Sequence, residues 1–179
     1  MSPNTGSEMR LIDWEKVLST YCKHVSHLSE IPLIPFDIDQ IGRHLRALLR
    51  RSSANEIRDQ IARYPSTWVT YMAAVAARND DRGYWDALAA SLEQKSFSPP
   101  ITSAIGSAFL DAAAALGLPD YREVGGYRYV TPIRLHGGIP AYSLRDFFEY
   151  ILMPAINDRL LIDLPPLGLA VFRHEGTLQ

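Results

Sequence analysis

Residues 65–78, PSTWVTYMAAVAAR, decide how this chain folds. Pro65 ends whatever precedes it, and Ser66 or Thr67 is a good helix cap. Trp68, Tyr71, Met72 and Val75 then follow the apolar spacing of a helix face. Ala73, Ala74, Ala76 and Ala77 fill positions around them. Alanine favours helix, and its small side chain lets a second helix come close. The segment reads as a helix packed tightly by neighbours.

The flanks read the same way. Upstream, Trp14, Val17, Leu18, Tyr21, Val25 and Leu28 predict a helix over 12–28, stopped by the prolines of EIPLIPF. Asp37 is the expected N-cap of the next helix, whose apolar face is Ile38, Ile41, Leu45, Leu48 and Leu49. A third begins near Ser53, with Ile57 and Ile61 as its spine. Downstream, NDDRG is a turn in which Asp80 or Asp81 caps a helix carrying Tyr84, Trp85, Leu88 and Leu92. Ser98 and Pro99 open a helix that runs to Leu116. Gly117 is its expected left-handed terminus, with Leu118 as the apolar contact and Pro119 as the stop. DYREVGGYRYV departs from helical spacing, and Gly125-Gly126 suits a small β-hairpin near 123–130 or a loop.

The expected architecture is all-α: an irregular multi-helix bundle or a short stack of helical hairpins. A disordered tail over 1–10 precedes a helical domain over 11–160. An irregular apolar tail, or the start of a further segment, follows over 161–179. The 179 residues suit one domain. A hydrophobic fraction of 47% and net charge of −2 argue against disorder and against a global basic field. One cysteine, Cys22, allows no internal disulfide. The N-terminus lacks a signal peptide's apolar run, and no stretch is long and apolar enough to span a membrane. A cytoplasmic protein is expected.

Few residues point to chemistry. His24 and His27 lie near Cys22, but the three do not converge on one helix face, and no metal site is expected. His174-Glu175 lacks the second histidine of a zinc-protease helix. HGGIP has the look of an esterase oxyanion loop, yet no G-x-S-x-G nucleophile elbow accompanies it. No phosphate-binding loop or dinucleotide fingerprint occurs. The acidic pairs Asp37/Asp39, Asp80/Asp81 and Asp146/Glu149 sit where helix starts need them. Trp14, Trp68, Trp85, Phe109, Phe147 and Phe148 fall on helical stripes and read as core. No catalytic residue and no cofactor is expected.

Two features stand out. Arg43, Arg46, Arg50 and Arg51 form a basic stripe opposite the apolar face of their helix, extended by Arg58 and Arg63. Such a stripe can contact phosphates or an acidic partner. The second is the corner TPIRLHGGIPAYS. Thr131 is the expected N-cap, Pro132 the first helical residue, Gly137 the left-handed terminus, Gly138 and Pro140 the reversal, and Ser143 the next cap. His136 is expected to cap the last carbonyls of its own short helix.

The order GYWDALAASL, IGSAFLDAAAALGLPDY, YRYVTPIRLHGGIPAYSLRDFF resembles a helical N-terminal region of large multidomain bacterial proteins, some of anti-phage or DNA-associated defence type. It covers Gly83 to Phe148. The resemblance implies a module whose chemistry lies in other domains. The leading functional expectation is therefore a non-catalytic interaction or scaffolding module that contacts a protein partner or other domains of a larger polypeptide. One alternative is a helical nucleic-acid-binding domain using the arginine stripe. The other is a small enzyme with a site around His136.

Overall fold

A computed structural model describes residues 9–25, 27–50, 52–78, 83–119 and 129–138. These residues form seven α-helices and no strand: α1 Leu11–Cys22, α2 Pro35–Leu49, α3 Ala54–Arg63, α4 Pro65–Arg78, α5 Tyr84–Ser91, α6 Pro99–Ala115 and α7 Val130–Gly137. A single 3-10 turn, Leu28–Glu30, stands between α1 and α2. The all-α reading holds. Of the segment proposed as a hairpin near 123–130, residues 123–128 lie outside the described residues while Tyr129 and Val130 open α7, and Arg51, Asp80, Asp81, Pro140, Ser143, Asp146, Phe147, Phe148, Glu149 and the tail over 161–179 also lie outside them.

The α4 helix is the axis of the bundle. Each of the other helices, and the 3-10 turn, packs against it. From Ser66 to Ala73 every residue is buried, and Val75 and Ala76 follow. A helix covered on all sides must be apolar or small on all sides. That is the meaning of its alanines: they permit several neighbours at once. Trp68 and Met72 are fully enclosed, and Trp14, Leu18, Ile41, Leu45, Ile57, Ile61, Leu88, Ile105, Phe109 and Ile133 complete the core around them. Burying each such large side chain contributes about 1.5–3 kcal/mol.

Three glycines set how close the packing is. A Cβ on Gly137 would lie 2.5 Å from the backbone oxygen of Ala73, so α7 touches α4 main chain to main chain. A Cβ on Gly106 would collide with the Tyr129 ring, so α6 makes room for that ring. A Cβ on Gly42 would meet the Tyr71 hydroxyl at 2.9 Å, so α2 lies against the end of that side chain.

The helix ends correct several expectations. The first helix stops at Cys22, not Leu28. Leu28 is buried instead from the 3-10 turn, which the Glu30 carboxylate steadies by accepting from the His27 amide at 2.8 Å. His24 and His27 are thus off the helix. Pro35 opens α2 rather than closing a loop, and Asp37 is the third residue of that helix rather than its cap. Its carboxylate accepts from the Ile34 amide at 3.1 Å. Ser53 caps α3 as expected, in reciprocal contact with Glu56. Ser98 stands at the N-cap of α6 with Pro99 first in the helix, but its hydroxyl makes no capping bond.

At the start of α4 neither Ser66 nor Thr67 is the cap. Both are inside the helix, and the cap comes from another element. The Glu15 carboxylate of α1 accepts from the Ser66 amide at 3.0 Å, the Thr67 amide at 2.9 Å and the Thr67 hydroxyl at 2.8 Å. An anion at a helix N-terminus satisfies orphan amides and complements the helix dipole. Beside α1, the His44 ring Nε2–H donates to the Met9 carbonyl at 2.8 Å, and Arg10 pairs with Asp13 at 2.8 Å.

Candidate functional site

The α2, α4 and α5 helices leave a cleft of about 330 Å³ between them. Each helix supplies one stripe. Ile38, Asp39, Gly42 and Arg46 come from α2, Tyr71, Val75 and Arg78 from α4, and Ala87, Ala90 and Ser91 from α5. Spacings of three, four and seven residues put the members of each set on one helix face. Ile38, Val75, Ala87 and Ala90 are its aliphatic members, and among the described residues its polar groups are two guanidiniums, one carboxylate, one phenol and one serine.

These groups are held in place from behind. The Tyr71 hydroxyl donates to the Ser91 carbonyl at 3.2 Å, which ties α4 to the last turn of α5. Burial pushes the Tyr71 phenol above its ordinary value, and the nearby Asp39 carboxylate adds to this while Arg46 and Arg78 oppose it. Arg46 is steadied by an Nε–H bond to the Gly42 carbonyl at 3.3 Å, and its far nitrogen pairs with the Glu93 carboxylate.

Glu93 is unusual in its backbone. It follows α5 with φ of 54°, the single left-handed non-glycine among the described residues. The Glu93 amide donates to Ala90 and the Gln94 amide to Ala89, which closes α5 in a Schellman turn. The position favours glycine; another residue there costs roughly 1 kcal/mol or more. The α6 helix ends in the same turn and does use glycine: Gly117 has φ of 71°, with its amide on Ala114 and the Leu118 amide on Ala113.

The expected arginine stripe is divided by this geometry. Arg43 of α2 and Arg50, the residue that follows it, are exposed, whereas Arg46 turns into the cleft wall. Arg58 is engaged elsewhere, donating to the Ser107 hydroxyl of α6 at 3.1 Å, and Arg63 lies over the Tyr64 ring at 5.5 Å. Arg51 is outside the described residues.

Of the second expected feature, the corner, residues 131–138 are described. Its helix starts at Val130, so Thr131 and Pro132 lie inside the first turn and Tyr129 is the N-cap. The left-handed residue is Gly138, with φ of 89°, one position later than expected. Gly137 is the last helical residue, and its role is the contact with Ala73. His136 is 1% exposed and does not cap its own helix. Its Nε2–H donates to the Pro119 carbonyl at 3.1 Å, beside the Phe109 ring at 5.9 Å. Burial lowers its pKa to about 4, against the raising effect of that carbonyl. The ring is therefore neutral at pH 7 and fastens α7 to the end of the α6 segment. Cys22 is likewise internal, and burial raises its thiol pKa. Among the described residues no three of His, Cys, Asp and Glu come together as a metal would require.

No family model matches the chain, and no curated protein or solved structure matches it either. Among the described residues no helix is long and apolar enough to cross a membrane.

Sequence spacing alone did not single out the cleft. Asp39 reads as an acid at a helix start and Tyr71 as part of an apolar face. The periodicities were visible, but which stripes face one another is set by the bundle.

Proposed function

We propose that this chain is a non-catalytic helical interaction module, cytoplasmic and bacterial, that contacts a protein partner or other domains of a larger, defence-associated polypeptide. The observation that carries the reading is at the start of α2. Phe36 is 51% exposed and Ile34 beside it 39% exposed, although both are large and apolar. They sit on a turn fixed by Pro35 and by the Asp37 carboxylate on the Ile34 amide. A rigid aromatic anchor held out into solvent suits the buried centre of a protein interface. A photo-crosslinking residue placed at Phe36, in the cell of origin, is expected to yield a discrete adduct, while one at exposed Asp59 is not. Equal labelling at both positions, or none at either, overturns the reading.

Nucleic-acid binding is the second reading, supported by the exposed Arg43 and Arg50. It predicts a mobility shift of a labelled duplex at low salt that disappears steeply as salt rises. Charge reversal at Arg43, Arg46 and Arg50 together should abolish it. An unchanged duplex at low salt removes this reading.

A further inference from the structure

We infer that the cleft between α2, α4 and α5 is a binding site for an apolar carboxylate that also carries an N–H group. In the ligand-free molecule Glu93 stands in for that carboxylate at Arg46. The inference does not depend on the interaction surface at Phe36.

Four observations lead to it. The cleft, at about 330 Å³, is within the range of small-ligand sites. Ile38, Val75, Ala87 and Ala90 give its wall an aliphatic part, so the body of the ligand is apolar. Among the described residues its charges are two guanidiniums, Arg46 and Arg78, and the carboxylate of Asp39. Guanidinium recognises carboxylate through paired, charge-assisted bonds, and Asp39 supplies an acceptor for an amide or amine N–H. The fourth observation is Glu93. A glutamate keeps a left-handed position that suits glycine, and its carboxylate is spent on Arg46 at the cleft. Glu93 is exposed, and its side chain is 70% accessible. An ion pair so open to water is weak, so an incoming carboxylate can displace it.

The ligand chemistry has two sources: a small N-acylated acid, or the carboxyl end of a peptide. Both are probed by isothermal calorimetry and by amide chemical shifts of the whole chain. N-acetylphenylalanine represents the first, and a hexapeptide ending in a free phenylalanine the second. N-acetylphenylalaninamide, which lacks the charge, is the control. Binding of at least one acid is expected, with shifts at Tyr71, Val75 and Ala87, and with the amide about tenfold weaker or more. Binding of the small acid alone assigns the site to a metabolite-sized ligand, and binding of the peptide as well assigns it to chain termini.

Arg46→Gln and Arg78→Gln should each weaken the acid about tenfold. Glu93→Gly should tighten it about threefold or more, because the internal competitor is gone. Far-ultraviolet circular dichroism establishes that each variant is folded. If neither acid binds, or if acid and amide bind alike, the proposal is overturned. It is overturned also if Glu93→Gly weakens the acid. A variant that fails to fold leaves the acid-against-amide comparison on the unaltered chain to decide.

Discussion

The two flanks of α4 are built on opposite terms. On the α7 side, Gly137 brings two backbones into contact, His136 is sealed against Phe109, and hardly any solvent enters. On the α2 and α5 side, the same helix presents Tyr71, Val75 and Arg78 to an open cleft lined with charges. One helix thus forms a closed structural seam along one edge and the buried back of a cleft along the other. Fully buried side chains nonetheless lie on both flanks, Ile41 and Leu45 of α2 and Leu88 of α5 on one, Ile133 and His136 of α7 on the other.

The sharpest test compares glycines across the two flanks. Gly137→Ala drives a methyl group into the Ala73 carbonyl, which cannot move without displacing α4. A loss of about 3 kcal/mol is expected, read as a fall in the urea midpoint. Gly42→Ala on the cleft side meets the hydroxyl and ring edge of Tyr71 rather than backbone, so that ring must give by a few tenths of an ångström against its bond to the Ser91 carbonyl. Its cost should be smaller, about 1 kcal/mol. Equal losses would erase the distinction between the flanks.

Acid provides the next test. His136 binds its proton at about 4 when folded, against an ordinary value of 6.5. Between those pH values the unfolded chain takes up a proton that the folded chain refuses. Stability therefore falls as pH drops from about 6.5 towards 4 and levels off below, by up to about 3 kcal/mol. In His136→Gln this segment of the denaturation profile should flatten, whereas in Arg46→Gln it should persist unchanged.

Glu15→Ala removes the acceptor of three hydrogen bonds at the start of α4 and should cost about 2 kcal/mol. The smallest effects are at the two Schellman turns. Gly117→Ala should lose about 1 kcal/mol, since alanine is strained at φ of 71°. Glu93→Gly should gain up to about 1 kcal/mol by relieving the same strain, while surrendering its exposed ion pair. If Glu93→Gly instead destabilises by as much as Gly117→Ala, the glutamate is there for folding and not for the cleft.

Much of the fold was legible from spacing. The stripes of α2, α3, α4 and α6, the Ser53 cap, the Ser98-Pro99 start and the Gly117 stop all lie where local rules put them. What could not be read locally are the points where a residue answers to a distant partner. Ser66 and Thr67 have the chemistry of caps, yet a carboxylate 51 residues away takes the task. His136 has the position of a C-terminal cap, yet bonds a carbonyl 17 residues earlier. Gly137 has the look of a terminus, yet its missing side chain matters to α4. The cleft belongs to the same class, because facing stripes are a property of the bundle and not of any one helix.

The Glu15 cap has a consequence for how the chain acquires its structure. The α4 helix is short, rich in β-branched and aromatic residues in its first half, and has no local side chain closing its first turn. A helix of that length is a poor nucleus in isolation. Its first turn is completed only when α1 has found it across some fifty residues, so the loop between them must close before the reward arrives. Assembly of the bundle should accordingly proceed from a long-range encounter of α1 with α4, with Glu15→Ala slowing refolding as well as hastening unfolding.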